Sequence, residues 1–181
     1  MTRTTQASRP LLHTTVLVLL LALLPAAAAT TYRQLSLSEI LDATEVAFVG
    51  TVRGLDVEMR DGLPWTIVEF AVERALEGET EERTSLAFLG GSGPGIAEVD
   101  VQGMPAFELS ERVLVLAYDA AYYSPLVGFN QGLFRLQDDN VLSQDGTLLG
   151  IDEDGSLRLG GFEAPANTVI DLVGAELEAR R

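Results

Sequence analysis

The 181-residue sequence has no cysteine, no lysine and a single histidine, His13. Without cysteine there is no disulfide, no thiolate nucleophile and no Cys-based zinc site. Without lysine there is no Schiff base and no phosphate-binding P-loop lysine. His13 lies in an apolar leader, so residues 30–181 have no imidazole and build neither a Ser-His-Asp nor a Cys-His nucleophile. All basic charge is arginine: 12 residues against 27 Asp and Glu give a formal net charge of −15 and a sequence pI of about 4.3.

The first segment has the features of an export signal. Arg3 and Arg9 precede an unbroken apolar run from Val16 to Leu24, Pro25 ends it, and Ala26 to Ala29 follow. This arrangement predicts a Sec-type signal peptide over residues 1–29, cleaved near Ala28 or Ala29, because small residues then occupy both sites before the cut. The run is well short of the roughly 20 apolar residues of a spanning helix. No later segment is long and apolar enough to span, so the expectation is a secreted or periplasmic protein without a membrane span after cleavage. Loss of Arg3 and Arg9, two positive charges, takes the formal charge from −15 to −17. Such a surface repels nucleic acid and anionic lipid. The acid excess reflects either genome composition and a saline habitat, or attraction to a basic partner or to cations; the sequence leaves both open.

Strand signals dominate the rest of the chain. A short helix is predicted over 36–42, capped by Ser36 or Ser38, with Leu37, Ile40 and Leu41 on one face. Val46, Phe48, Gly50 and Val52 then alternate, but the apolar set switches parity to Leu55, Val57 and Met59. A period of two switches only through an inserted residue, so a β-bulge or bend is predicted at Gly54. Asp61-Gly62 makes 46–60 and 65–76 a hairpin, in which Thr66, Val68, Phe70 and Val72 face inward while Trp65 and Ile67 share a covered second face. Further strands are expected at 84–89, 96–101, 113–118 (apolar on both faces, hence central), 133–136, 147–151 and 156–159. A last helix is expected from Asn167 or Thr168, with Asp171 completing a capping-box relative and Ile170, Val173 and Leu177 as its apolar stripe. Together these features predict an all-β fold with short N- and C-terminal helices. The expected form is a single OB-like Greek-key barrel over residues 30–163, with the helix of residues 164–181 packing on or trailing it.

Candidate sites follow from what remains. Opposed carboxylates such as Glu69 and Glu73, or Asp56 and Glu58, suit glycan hydrolysis, but in so acidic a chain they also read as solvated strand faces. Gln137 to Asn140, Asp145 and Asp152 to Asp154 form the densest oxygen-ligand region and could hold Ca²⁺, yet they lack the spacing of an EF-hand and suit hairpin turns equally well. The glycine-rich run from Gly90 to Gly95 has no following Lys-Ser/Thr and no dinucleotide spacing, so a loop or tight turn is expected rather than a phosphate cradle. Gly91, Gly93 and Pro94 of that run with Tyr122 and Tyr123 are read as a partner surface, the alternative being that the tyrosines cap the end of the barrel. Asn130 and Gln131, between two glycines, are either a further part of it or satisfy buried backbone groups.

Two resemblances add to this reading. Residues 42–52, Asp-Ala-Thr-Glu-Val-Ala-Phe-Val-Gly-Thr-Val, with Val68 to Gly78, resemble the opening of netrin-like domains, the superfamily of the tissue inhibitors of metalloproteinases. That resemblance implies an OB barrel. It does not carry the inhibitory mechanism across, since those inhibitors use an N-terminal cysteine and several disulfides. Residues 35–140 also resemble a group of uncharacterised bacterial exported proteins. The likeness rests on the Gly90–Gly95 run, the Gly103-x-Pro105-x-Phe107 turn, the Glu111-Arg112 pair before an apolar strand, and the Val127 to Gly132 segment. The function expected from these readings is a noncatalytic, cofactor-free binding or inhibitor-like module that engages another exported protein. A calcium-stabilised envelope or matrix component and a carboxylate-dependent glycan hydrolase are the alternatives.

Overall fold

The computed structural model describes residues 33–181, one compact unit. The signal-peptide and cleavage-site expectations, and His13, lie outside the described residues. No helix among the described residues is long and apolar enough to cross a membrane.

Helix α1 (Leu37–Asp42) starts at Ser36, whose hydroxyl accepts from the Glu39 amide while the Glu39 carboxylate accepts from the Ser36 amide. Each side chain satisfies a helix-end donor that would otherwise lack a partner. The chain then forms two 15-residue strands, β1 (Val46–Arg60) and β2 (Leu63–Glu77), joined by Asp61 and Gly62 with φ of 51° and 79°. Two successive positive φ values make this a two-residue turn of the mirror-image type, whose twist matches the strands. The ladder slips three times, leaving Leu76 and Glu73 on β2 and Arg53 on β1 unopposed. The slip at Arg53, next to Gly54, is the predicted bulge. It keeps Val52 before it and Leu55 and Val57 after it on one face.

The remaining strands are β3 (Arg83–Leu89), β4 (Gly91–Gly93), β5 (Ile96–Val99), β6 (Arg112–Ala117), β7 (Leu133–Gln137), β8 (Asn140–Ser143), β9 (Leu149–Ile151) and β10 (Leu157–Leu159); helix α2 (Ala166–Ala179) ends the fold. Six strands form one antiparallel sheet in the order β3-β2-β1-β6-β7-β8, and β4-β5 and β9-β10 form separate two-stranded ribbons. Strand β6 lies inside the sheet with residues 113–117 all buried, as its two-sided apolar pattern predicts. One face of the sheet packs Ala47, Val49, Leu114, Leu116 and Phe134 under both helices. The other face packs Phe48, Val52, Phe70, Phe88, Val113 and Val115.

The fold is mostly β-structure as expected, but its sheet does not close into a barrel. Its edges, β3 and β8, are not bonded to each other. Where a closing strand would run, the segment after β5 carries Gly103 and Pro105 and forms no ladder. It covers the second core with side chains instead: Phe107 sits 4.9 Å from Phe88 and 5.8 Å from Phe70, ring to ring, and Met104 packs beside them. At the other edge, Asp138 and Asp139 take φ of 51° and 63° and fold the chain back into β8, a strand that the alternation pattern does not predict.

Three further expectations need correction. The Gly90–Gly95 run holds the expected tight turn only at residues 94–95, since Gly91–Gly93 is strand β4, paired with β5. Residues 147–148 and 156 lie outside β9 and β10, which are only three residues each. Helix α2 starts at Ala166 after Pro165, with no side-chain cap from Thr168. Asp171 instead pairs with Arg74 of β2, and the stripe Val169, Ile170, Val173 and Leu177 is buried against the sheet.

Candidate functional site: an aromatic cleft beside the free edge of β3

After β6 the chain leaves the sheet and loops past the end of β3. Residues Tyr118 to Pro125 wall one side of an open cleft of about 790 Å³, and Ser85 to Ala87 of β3, with Trp65 of β2, form the other. The register Thr66↔Phe88 and Ile67↔Ala87 puts Trp65 on the sheet face opposite Phe88, which is why an apolar ring lies outside the core. Tyr123 lies against it with ring centroids 6.1 Å apart, and the Arg60 guanidinium sits 6.0 Å over the same indole. Tyr122 stacks edge-on against Tyr118 at 5.1 Å. Tyr122 and Tyr123 are nevertheless 54% and 64% exposed, so much of their ring surface faces solvent. The loop is held in place by backbone bonds, from the Leu89 amide to the Tyr123 carbonyl (2.8 Å) and from the Tyr118 amide to the Pro125 carbonyl (2.8 Å). Buried Ser124 adds a hydroxyl bond to the Phe129 carbonyl.

The structure divides the partner surface expected from sequence. Tyr122 and Tyr123 join Trp65 and Tyr118 in this cleft, and Pro125 is buried at its floor. Gly91 and Gly93 lie elsewhere, against Val57 of the β1–β2 hairpin. Gly91 has φ 126° and leaves no room for a Cβ beside the Thr66 hydroxyl, so its lack of a side chain is a packing requirement. Pro94 is exposed at the tip of that ribbon. Asn130 and Gln131 are structural: Asn130 donates to the Gly103 carbonyl (3.0 Å), while Gln131 accepts from the Leu35 amide (2.7 Å) and donates to the Arg33 and Gly128 carbonyls. These amides tie the N-terminal segment and the Gly103 turn to the sheet.

Trp65, Arg60 and the β3 edge were missed in sequence. Alternation assigned Trp65 to a covered face, which is half right, since its cover is Tyr123 and Arg60 rather than a core layer. The signal that could have found the cleft is the clustering of Tyr118, Tyr122 and Tyr123 in a chain that is only 7% aromatic.

Three of the four paired carboxylates, Glu58, Glu69 and Glu73, are engaged by arginines. Glu69 pairs with Arg83 (3.3 Å) and Glu58 with Arg60. Glu73 accepts from the Thr51 hydroxyl (2.6 Å) and Arg112 (2.7 Å). Its partial burial pushes the carboxyl up, but the bonds from Thr51 and Arg112, with the charges of Arg112 and Arg53, outweigh that and hold it below its ordinary value. A general acid needs the opposite shift. In the acidic turns, Asp145 accepts from the Ser143 hydroxyl and the Thr147 amide, which lowers its pKa. Asp152 accepts from the Asp154 and Ser156 amides. No group of three His, Asp or Glu side chains among the described residues converges as a metal site. Asp145 and Asp152 thus bond the backbone of their own turns, the second of the two readings that the sequence offers for this region.

Comparison with protein families, with curated proteins and with solved structures finds no match to this chain.

Proposed function

We propose that residues 33–181 form a noncatalytic binding module, exported by way of a signal peptide in residues 1–29, that engages another exported protein through the aromatic cleft. The observation that carries this reading is the group Trp65, Tyr118, Tyr122 and Tyr123, assembled beside an open strand edge with two of its rings more than half exposed. Tyrosine and tryptophan supply large contact areas at little entropic cost and are enriched at binding hot spots. The engagement of Glu58, Glu69 and Glu73 by arginines supports a noncatalytic role. We read the sheet as an OB-like barrel opened at one seam. The order β3-β2-β1-β6-β7 and the second core under Phe107 support that reading, which agrees with the netrin-like resemblance.

The test is affinity capture from the exported fraction of the producing organism with the wild type, Tyr123→Ala, and Leu109→Ala as an exposed apolar control. The wild type and Leu109→Ala are expected to recover the same specific binder and Tyr123→Ala to lose it. A binder retained by Tyr123→Ala, or no recovery above background in repeated captures, overturns the reading.

A further inference from the structure

The backbone of β3 leaves a row of hydrogen-bonding groups open to the cleft. The Glu82 carbonyl accepts from Val72 and the Gly90 amide donates to Pro64, so even-numbered positions bond towards β2. The Leu89 amide points the other way, to the Tyr123 carbonyl. Ser85 and Ala87 share the parity of Leu89, so their N–H and C=O groups also point outward, where no backbone partner meets them among the described residues. Tyr123 occupies the edge only at its Leu89 end. An unpaired edge of this kind is a template for another strand unless something blocks it. Here there is no proline or bulge along 83–89, and the neighbouring loop stands off at a cleft's width.

Charge indicates what fits. Asp61 and Asp119 line the cleft and form no ion pair among the described residues. The Glu45 carboxylate is bonded to the Asp119 amide (2.8 Å), and Glu79, Glu81 and Glu82 lie on the exposed turn that leads into β3. The nearby cations are already committed, Arg60 to Glu58 and Trp65, and Arg83 to Glu69. An incoming chain therefore meets free backbone acceptors and donors, aromatic faces, and uncompensated negative charge.

We infer that β3 takes up an extended, basic segment of the partner protein as an added strand along Ser85–Ala87. Alternate side chains of that segment lie on Trp65 and Tyr123, and its basic groups lie opposite Asp61 and Asp119. The inference rests on the cleft being the binding site and specifies how it is filled. Main-chain bonds supply affinity in this mode, and the aromatic faces and acids select the sequence. Because the attraction includes exposed charges, binding weakens as salt rises.

The experiment uses a synthetic peptide of about ten residues that alternates arginine with valine and tyrosine. It is compared with a copy N-methylated on alternate amides in either register and with a copy in which glutamate replaces arginine. Binding is read from the emission of Trp65, the one tryptophan in the chain, and from hydrogen exchange at the Ser85 and Ala87 amides. The arginine peptide is expected to shift the emission and slow both amides. N-methylation in one register is expected to weaken it about tenfold or more, the effect of losing one to two net hydrogen bonds. The glutamate peptide is expected not to bind. Ala87→Pro removes an outward N–H at an edge position and is expected to weaken binding similarly. If that variant does not fold, the N-methylated peptides give the same information.

Three results overturn the inference: no emission change at millimolar arginine peptide; a change insensitive to N-methylation in both registers with no slowing at Ser85 and Ala87; or a wild-type dimer that Ala87→Pro dissociates, which gives the edge to a second copy of this chain. In the second case capture still depends on Tyr123 and the cleft remains the binding site, whereas capture indifferent to Tyr123→Ala removes both proposals.

Discussion

The amide of Ala166, the first residue of α2, donates to both the main-chain carbonyl (3.0 Å) and a carboxylate oxygen (3.2 Å) of Asp139. The helix cap is thus supplied from the β7–β8 turn, on another element of the fold. It fixes where α2 crosses the sheet, and the buried stripe from Val169 to Leu177 completes the contact.

Asp139→Ala is expected to lower stability by about 1–2 kcal/mol, since it removes the carboxylate half of the cap, with the main-chain bond kept, and leaves a Cβ-bearing residue without a polar side chain at φ 63°. Asp139→Asn keeps an acceptor and tolerates that backbone, so it is expected to stay within about 0.5 kcal/mol of wild type. Asp139→Gly separates the two effects by relieving the backbone while still losing the carboxylate bond to Ala166. Urea denaturation midpoints at constant m-value give all three.

This relationship also marks what the sequence makes legible. Helix α1 was readable because its cap and its capping partner lie three residues apart, and the bulge at Arg53–Gly54 because a parity switch cannot hide in a strand. The cap of α2 was not readable, because no local pattern links Asp139 to Ala166. Strand β8 was missed for a related reason: Asp138-Asp139 resembles a cluster of oxygen ligands until both residues are seen to turn at positive φ. Closure into a barrel depends on whether a distant segment pairs or merely packs. Phe107 packs, and its alternation-free neighbourhood around Pro105 carried the warning. The cleft depends on residues from β2, β3 and the β6–β7 loop, and only its tyrosines could be singled out in advance.

Two glycines are expected to respond in opposite directions to alanine. A Cβ on Gly132 would collide with the Leu116 carbonyl oxygen and stand 3.0 Å from the Val127 amide nitrogen. Gly132 bonds to those same two residues: the Leu116 amide donates to its carbonyl (2.7 Å) and its own amide donates to the Val127 carbonyl (2.8 Å). Gly132→Ala is expected to cost more than ~3 kcal/mol or prevent folding. Gly174, inside α2, has ordinary helical φ and a Cβ position 3.5 Å from Leu76 Cδ2, a normal contact. Gly174→Ala is expected to stabilise by about 0.5–1 kcal/mol and to raise Tm by a few degrees, ~2–4 °C per kcal/mol at this size, in calorimetry.

Glu73 gives a pH signature whose sign follows from its lowered pKa. Its folded value lies below the ordinary glutamate value of 4.5, so the stabilisation is complete above that value and is lost as pH falls through the depressed folded value. Glu73→Gln keeps the Thr51 contact but cannot carry the charge that Arg112 and Arg53 favour. Relative to wild type it is expected to be less stable at neutral pH, by no more than about 1 kcal/mol given the exposure of the pair, and to converge with wild type in acid. Comparing the two proteins by denaturation across pH isolates this residue from the repulsion among the other acids. A difference that is constant with pH, or that grows in acid, would contradict the assignment.

Trp65 reports on the cleft without any label, because its emission is the only indole signal in the chain. Tyr123 covers one side of it and the Arg60 guanidinium another. Removing the ring with Tyr123→Ala is expected to shift the emission to longer wavelength and increase quenching by acrylamide, while lowering stability by less than ~1.5 kcal/mol, the scale of one exposed ring contact. Tyr123→Phe retains the ring, and its loop stays tied by the backbone bond from Leu89, so its emission is expected to match wild type. Leu109→Ala, exposed on the loop before β6, is expected to change neither quantity. A tryptophan equally quenched in wild type and Tyr123→Ala would mean that the two rings do not stack in solution, and the aromatic cleft would lose its central contact.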